Sequence, residues 1–174
     1  KVELVVNKEA TDKTVVDYQR AVGETVAKVT ELTAQVGPAA EVKFAIDGLH
    51  GNYLRLTGTA TIDIFGFVKV SGDFGVEKKT GQTLYVSGTD KAKANTKVSN
   101  ANLLTIGLSN VNAFVGSDGG TDAEGDDIGL KLSQMNLAIA LWSEEGGTAR
   151  KWTSVMATVG SASFVGVEQL TLEV

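Results

Sequence analysis

The stretch LRLTGTATIDIFGFVKVSGDFGVE, from Leu54 to Glu77, decides how this chain is read. Taken at every second position, Leu54, Leu56, Gly58, Ala60, Ile62, Ile64, Gly66, Val68, Val70, Gly72, Phe74 and Val76 are all apolar or glycine. The alternate set is polar apart from Phe65, Phe67 and Gly75. A strict period of two describes extended chain with one dry face and one wet face; a helix would scatter these residues around its circumference. The phase does not slip at Gly66, as it would across a two-residue hairpin, which pairs even with odd positions. The expectation is one long strand bent at glycines, or two strands joined by a corner that keeps parity. Fully extended, the stretch would span roughly 80 Å.

Working outward, the same alternation recurs. Val2 to Asn7 reads as a strand, Glu9 to Lys13 as a polar turn and Thr14 to Val16 as a short apolar run. Residues 17–36 place Tyr18, Val22, Val26, Val29, Leu32 and Val36 at helical spacing, yet are rich in Val and Thr; strand or irregular chain is favoured over helix. Glu41 to Ile46 reads as a strand and Asp47 to Asn52 as a turn. Lys78 to Gln82 reads as a turn before a return strand, Thr83 to Ser87. Thr89 to Asn102, with Lys91, Lys93 and Lys97, reads as a loop or solvated edge. In Leu103–Gly116 the apolar phase changes at Ser109–Asn110, and in Ile128–Trp142 between Leu132 and Met135; each slip predicts a β-bulge or sharp bend. Ala149 to Val167 and the end of the chain alternate again, with a turn expected over Ser143–Thr148.

Composition agrees with an all-β, glycine-rich, mostly antiparallel module of long strands, either a sandwich or β-solenoid-like, occupying residues 1–174 as one domain. There are 20 glycines and one proline, Pro38, and 43% of residues are hydrophobic, enough to fill a core. A net charge of −5 speaks against nucleic acid, which needs clustered Lys and Arg. With no cysteine, disulfides, thiolate metal sites and thiol nucleophiles are excluded. No apolar run approaches the length of a bilayer-spanning helix. The opening directly into alternation at Lys1 suggests a unit cut or processed from a longer protein. Leu170, Leu172 and Val174 would run into Val2, Leu4 and Val6 of a following copy without a change of phase, as in a tandem array.

Phe67-Val68, Phe114-Val115 and Phe164-Val165 lie 47 and 50 residues apart and mark a weak internal repeat. GTATIDIFGFVKVSGDFGVEK (58–78), LTIGLSNVNAFVG (104–116) and SFVGVEQLTL (163–172) resemble motifs of giant bacterial secreted or surface repeat proteins, often described as adhesin-like. The resemblance covers roughly residues 41–174. It implies a structural or adhesive module in an extracellular or cell-surface fibre, joined to neighbouring copies or repeats through edge or terminal strands.

Chemistry is sparse. The single histidine, His50, lies in a glycine turn beside Asp47 and reads as a solvated loop residue; one histidine makes no multi-histidine metal site, and no nucleophile or phosphate-loop motif accompanies it. No enzymatic activity is expected. Asp118, Asp122, Glu124, Asp126 and Asp127 form a glycine-rich acidic loop whose hard oxygen ligands suit Ca²⁺, although the spacing departs from an EF-hand. Trp142 and Trp152 flank a turn and are expected to face each other across a hairpin, buried as part of the core. Exposed, they would offer a stacking platform for surface glycans. A calcium-dependent or glycan-binding module is therefore the alternative function. Phe65 and Phe67, two aromatics on the wet side of the alternation, are expected to mark a patch covered by a neighbour.

Overall fold

The computed structural model describes residues 1–19, 29–88, 96–117, 127–146 and 150–167. Among them are nine strands: β1 (Val2–Asn7), β2 (Thr33–Gly37), β3 (Ala40–Lys43), β4 (Tyr53–Ile64), β5 (Val68–Val86), β6 (Thr96–Ser117), β7 (Ile128–Glu144), β8 (Lys151–Thr158) and β9 (Ser161–Val165), with one 3-10 turn at Gly48–His50. Every described pairing is antiparallel. One seven-stranded sheet runs β1-β4-β5-β6-β7-β8, with β9 also on β7, and β2 and β3 form a separate hairpin. The fold is all-β, as its alternation dictates. Open antiparallel layers of this kind agree with a sandwich.

The Leu54–Glu77 stretch is a hairpin. β4 turns at Phe65–Phe67 and returns as β5, with Leu54 opposite Lys78 and Ile64 opposite Val68. The expected single strand is thus overturned, and the parity-keeping corner takes its place. Across a three-residue loop, position i pairs with i+4, so even residues face even residues and the apolar set stays on one side. Phe65 (φ 51°) and Gly66 (φ 73°) take left-handed conformations, the Asp63 carboxylate accepts from the Gly66 amide at 2.8 Å, and the Phe67 amide donates to Ile64 O at 2.9 Å.

Register carries this sorting across the sheet. Leu4, Leu56, Val76, Ile106, Ile139 and Val155 are successive cross-strand partners on the dry face; Ile62, Val70, Ala113, Leu132 and Ala162 form a second row. The wet face carries the row Val5, Arg55, Glu77, Thr105, Ala140 and Ser154.

Both predicted phase slips are bulges. Asn110 (φ 49°) and Gln134 (φ 54°) are left-handed, and the β6–β7 register shifts there, bringing Val111 opposite Met135 and Ala113 opposite Leu132. The β5–β6 register shifts beside them between Ser71 and Asp73, and β8 gives way to β9 at Val159–Gly160. These breaks line up as one crease. Within it, Val111 lies over Gly72 so closely that a Cβ on the glycine would sit 2.6 Å from Val111 Cγ2.

Other expectations change. Lys78–Gln82 is not a turn: β5 continues to Val86, still paired with β6, with a bulge at Gly81 (φ 67°). Thr96–Asn102 is not a loop but the start of β6, where Val98 and Ala101 are buried. The strand expected over Glu41–Ile46 is confined to Ala40–Lys43. Residues 20–28, within the ambiguous 17–36 stretch, and the alternation at 170–174 lie outside the described residues.

Few side chains are fully covered. Among the described residues the buried apolar ones are Ile46, Tyr53, Val98, Ala101 and Val111, joined by Asn7, whose Nδ2 donates to Val16 O at 2.8 Å. Except for Val111, these gather at the end of the sheet away from the Phe65 turn. The chain exposes 12417 Å², whereas a compact monomer of its mass exposes about 8,000 Å².

Candidate functional site

A polar cluster sits on the wet face at the covered end. β4 presents Tyr53 and Arg55, β5 presents Glu77 and Lys79, β1 presents Glu3, and the 3-10 turn, capped by Asp47 accepting from the Leu49 amide, presents His50. Tyr53 Oη donates to Glu77 Oε1 at 2.5 Å, Lys79 Nζ reaches Glu77 Oε2 at 3.0 Å, and Arg55 Nη2 reaches Glu3 Oε1 at 2.6 Å. The His50 ring packs on Tyr53 with centroids 4.6 Å apart. Burial, helped by the hydrogen bond to Glu77, pushes the Tyr53 hydroxyl up to about 12. Burial alone would raise Glu77, but the bonds from Tyr53 and Lys79 outweigh it and hold the carboxyl below its usual range. Burial, with Lys79 nearby, lowers His50 and keeps it neutral near pH 7.

His50 is therefore no solvated loop residue. It is half-buried and held by ring packing. The cluster joins three strands and a turn, and each acid within it is already engaged by a donor. Its bonds link β4 to β5 and β1 at the covered end of the sheet. Sequence reasoning missed it because its members span residues 3 to 79; the mixed charges on the wet face of β1, β4 and β5 were its only trace.

The expected site residues are dispersed. Trp142 and Trp152 do lie directly opposite each other on β7 and β8. They are half-buried rather than fully enclosed. Arg150 places its guanidinium 5.2 Å from the Trp152 ring centroid and holds Glu144 through Nε and Nη2 at 2.8 and 2.9 Å. The guanidinium thus lies over one face of the Trp152 ring. Phe65 and Phe67 are not on the wet face of a strand. They belong to the β4–β5 turn, and Phe65 is 93% exposed, so within this chain the expected covered patch is bare. Asp118, Asp122, Glu124 and Asp126 lie outside the described residues, and Asp127 leads into β7. Among the described residues no group of acids and histidine is arranged to hold a metal, and no helix is long and apolar enough to cross a membrane.

What remains is the sheet itself. Among the described residues, β1 bounds it on one side and β8, with β9 beyond the crease, on the other, each bonded to one neighbour. Thr59 N donates to Lys1 O, so the odd residues of β1 face β4 and the amides of Val2, Leu4 and Val6 point outward. Glu144 N donates to Arg150 O, so the even residues of β8 face β7 and the amides of Lys151, Thr153, Val155 and Ala157 point outward. Neither strand carries proline or a bulge, devices that blunt an edge. Neither a protein-family model, nor a curated protein, nor a solved structure matches this chain.

Proposed function

We propose that this chain is a non-catalytic structural module, of the kind an extracellular bacterial fibre, array or adhesin is built from, and that it joins neighbouring copies or repeats through its sheet edges. The observation that supports this reading is the pair of open edges: β1 and β8 both direct a row of backbone amides away from the sheet. Such a row is a template for another strand, and two edges on one sheet give head-to-tail, open-ended growth.

The experiment is light scattering and electron microscopy of the chain at rising concentration, beside Leu4→Pro/Thr153→Pro. Each proline removes an amide that points outward, so the sheet's own ladders stay intact. The chain should form species that lengthen with concentration, and the double variant should not, while keeping its circular dichroism. Growth of the proline variant equal to the parent's, or no species larger than a dimer for the parent at 100 µM (a concentration about a hundredfold above a 1 µM dissociation constant), would overturn the reading.

A further inference from the structure

The edges leave the dry face unexplained. Between the Leu54–Lys78 pair and the Phe65 turn, its described residues carry a single charge, Lys78, at the margin. Everything else in those rows is apolar or small, apart from Thr153 on β8 and Ser117 at the end of β6. Yet Leu4 and Val155 are each 62% exposed, Ile128 56%, Ile62 53% and Val115 52%. These residues lie on five different strands around the rim of the face, while its central residues, such as Leu56, Val76, Ile106 and Ile139, are half-buried by their neighbours within the sheet.

The size of the face bears on what fits it. Eleven residues along β4 at about 3.3 Å, and six strands across at about 4.8 Å, make a surface on the order of 1,000 Å². Contiguous apolar patches on soluble monomers rarely exceed about 600 Å². Two such faces packed together would bury on the order of 2,000 Å², where obligate, strongly apolar dimer interfaces begin.

We propose that the dry face is covered by the dry face of a second copy of this chain, closing a two-layer β-sandwich about a twofold axis. The proposal rests on the assembly reading above and names a second, separate contact within it. A face whose single charge, Lys78, stands at its margin buries no unpaired charge against an identical copy, whereas an ordinary polar surface would bury its own charges without partners. Twisted sheets stack face to face at a small angle with side chains interdigitated, a geometry that a twofold axis satisfies with one patch on both copies. The bulges assist: Val111 is drawn down over Gly72 in the crease, where a second layer can lie close. The edges and the face do different work. Edge pairing extends the assembly without limit, and face pairing closes on two layers.

The chain has no cysteine, which allows a direct test. Ile62→Cys places one thiol on the dry face and Thr59→Cys one on the wet face, both at exposed positions of β4. Maleimide labelling of each would be followed at low and high protein concentration in a Val6→Pro/Lys151→Pro background, which removes outward amides at the margin of the face (Val6 opposite Leu54, Lys151 opposite Ser143), so that edge growth is absent. The expected result is at least a tenfold slowing for Ile62→Cys at high concentration, no change for Thr59→Cys, and a dimer in sedimentation equilibrium. Ile62→Lys/Val115→Lys should weaken that dimer at least a hundredfold with its circular dichroism unchanged. Equal labelling of both thiols at all concentrations, a monomer throughout, or a lysine variant that dimerises as tightly as its parent would overturn the proposal. Slowing of Ile62→Cys only by zwitterionic phosphatidylcholine vesicles would assign the face to lipid and also overturn it. Failure here with edge growth intact in the parent leaves the assembly reading standing; loss of edge growth with the dimer intact does the reverse.

Discussion

The backbone amide of Asn110 donates to Oδ1 of Asn136 on the neighbouring strand, at 3.1 Å. The arrangement is repeated with the strands exchanged: the Gln134 amide donates to Asn112 Oδ1 at 3.3 Å. Each bulge frees an amide from the ladder, and the asparagine just past the opposite bulge takes it up. Asn136→Ala removes one acceptor, together with its bond to Thr158 Oγ1. The expected cost is about 1–2 kcal/mol in urea unfolding. A change below about 0.3 kcal/mol would show that the crease holds without it.

Gly72 lies beneath Val111, with Val111 Cα only 2.8 Å from where a Cβ would be. Gly72→Ala must push β6 away from β5, at about 2–3 kcal/mol. Because part of the clash is with backbone, adding Val111→Ala should restore less than half of that loss. Full rescue in the double mutant would place the conflict in the side chain alone.

Tyr53 titrates late because it is buried and bonded to Glu77. The raised folded value means that its contribution is complete below the unfolded value near 10 and is lost as pH rises towards about 12. Tyrosinate absorbance should show a step for Tyr53 well above the ordinary tyrosine range, towards about 12. Tyr53→Phe should abolish that step. It should also lower stability at neutral pH by about 1–2 kcal/mol, since Glu77 loses a donor.

On the acid side the expected sign is opposite. Glu77 and His50 are both held below their usual values. Stability from His50 is therefore present above its unfolded value near 6.5 and declines as pH falls through that range; Glu77 follows at lower pH. His50→Phe keeps ring packing on Tyr53 without the titration. Its melting temperature should vary less between pH 7 and pH 5 (a window bracketing the histidine range) than the parent's. An identical pH dependence in the two proteins would remove His50 from the account.

Phe65 stands in left-handed backbone, bare to solvent. Phe65→Gly relieves the backbone and forfeits no contact inside the chain, so the isolated chain should gain about 0.5–1 kcal/mol. A loss of more than about 1 kcal/mol would show that the ring is covered.

The period of two disclosed the sorting of faces, several of the strands and both bulges, because each follows from which side of an extended backbone a residue occupies. It could not distinguish a long strand from a hairpin with a three-residue loop, since both keep the parity that carries the signal. The clue was local: Asp63 before Phe-Gly-Phe, with its carboxylate on the Gly66 amide. Thr96–Asn102 was hidden by its polarity and by Asn100 (φ 57°), which shifts Val98 and Ala101 out of simple alternation. The Trp142–Trp152 pairing was legible from spacing, but their degree of burial depends on what lies above a sheet, which no pattern along one chain encodes. The Tyr53–Glu77 cluster was least visible, because it is assembled by register rather than by proximity in sequence.

The three-residue turn at Phe65–Phe67 also limits how this chain can be altered. One residue inserted or deleted there would turn the whole of β5 over relative to β4, sending valines into the charged rows and lysines among the leucines. Changes of two residues would leave the pattern intact. Loop grafts at this tip, and the natural drift of its length, should therefore proceed in even steps.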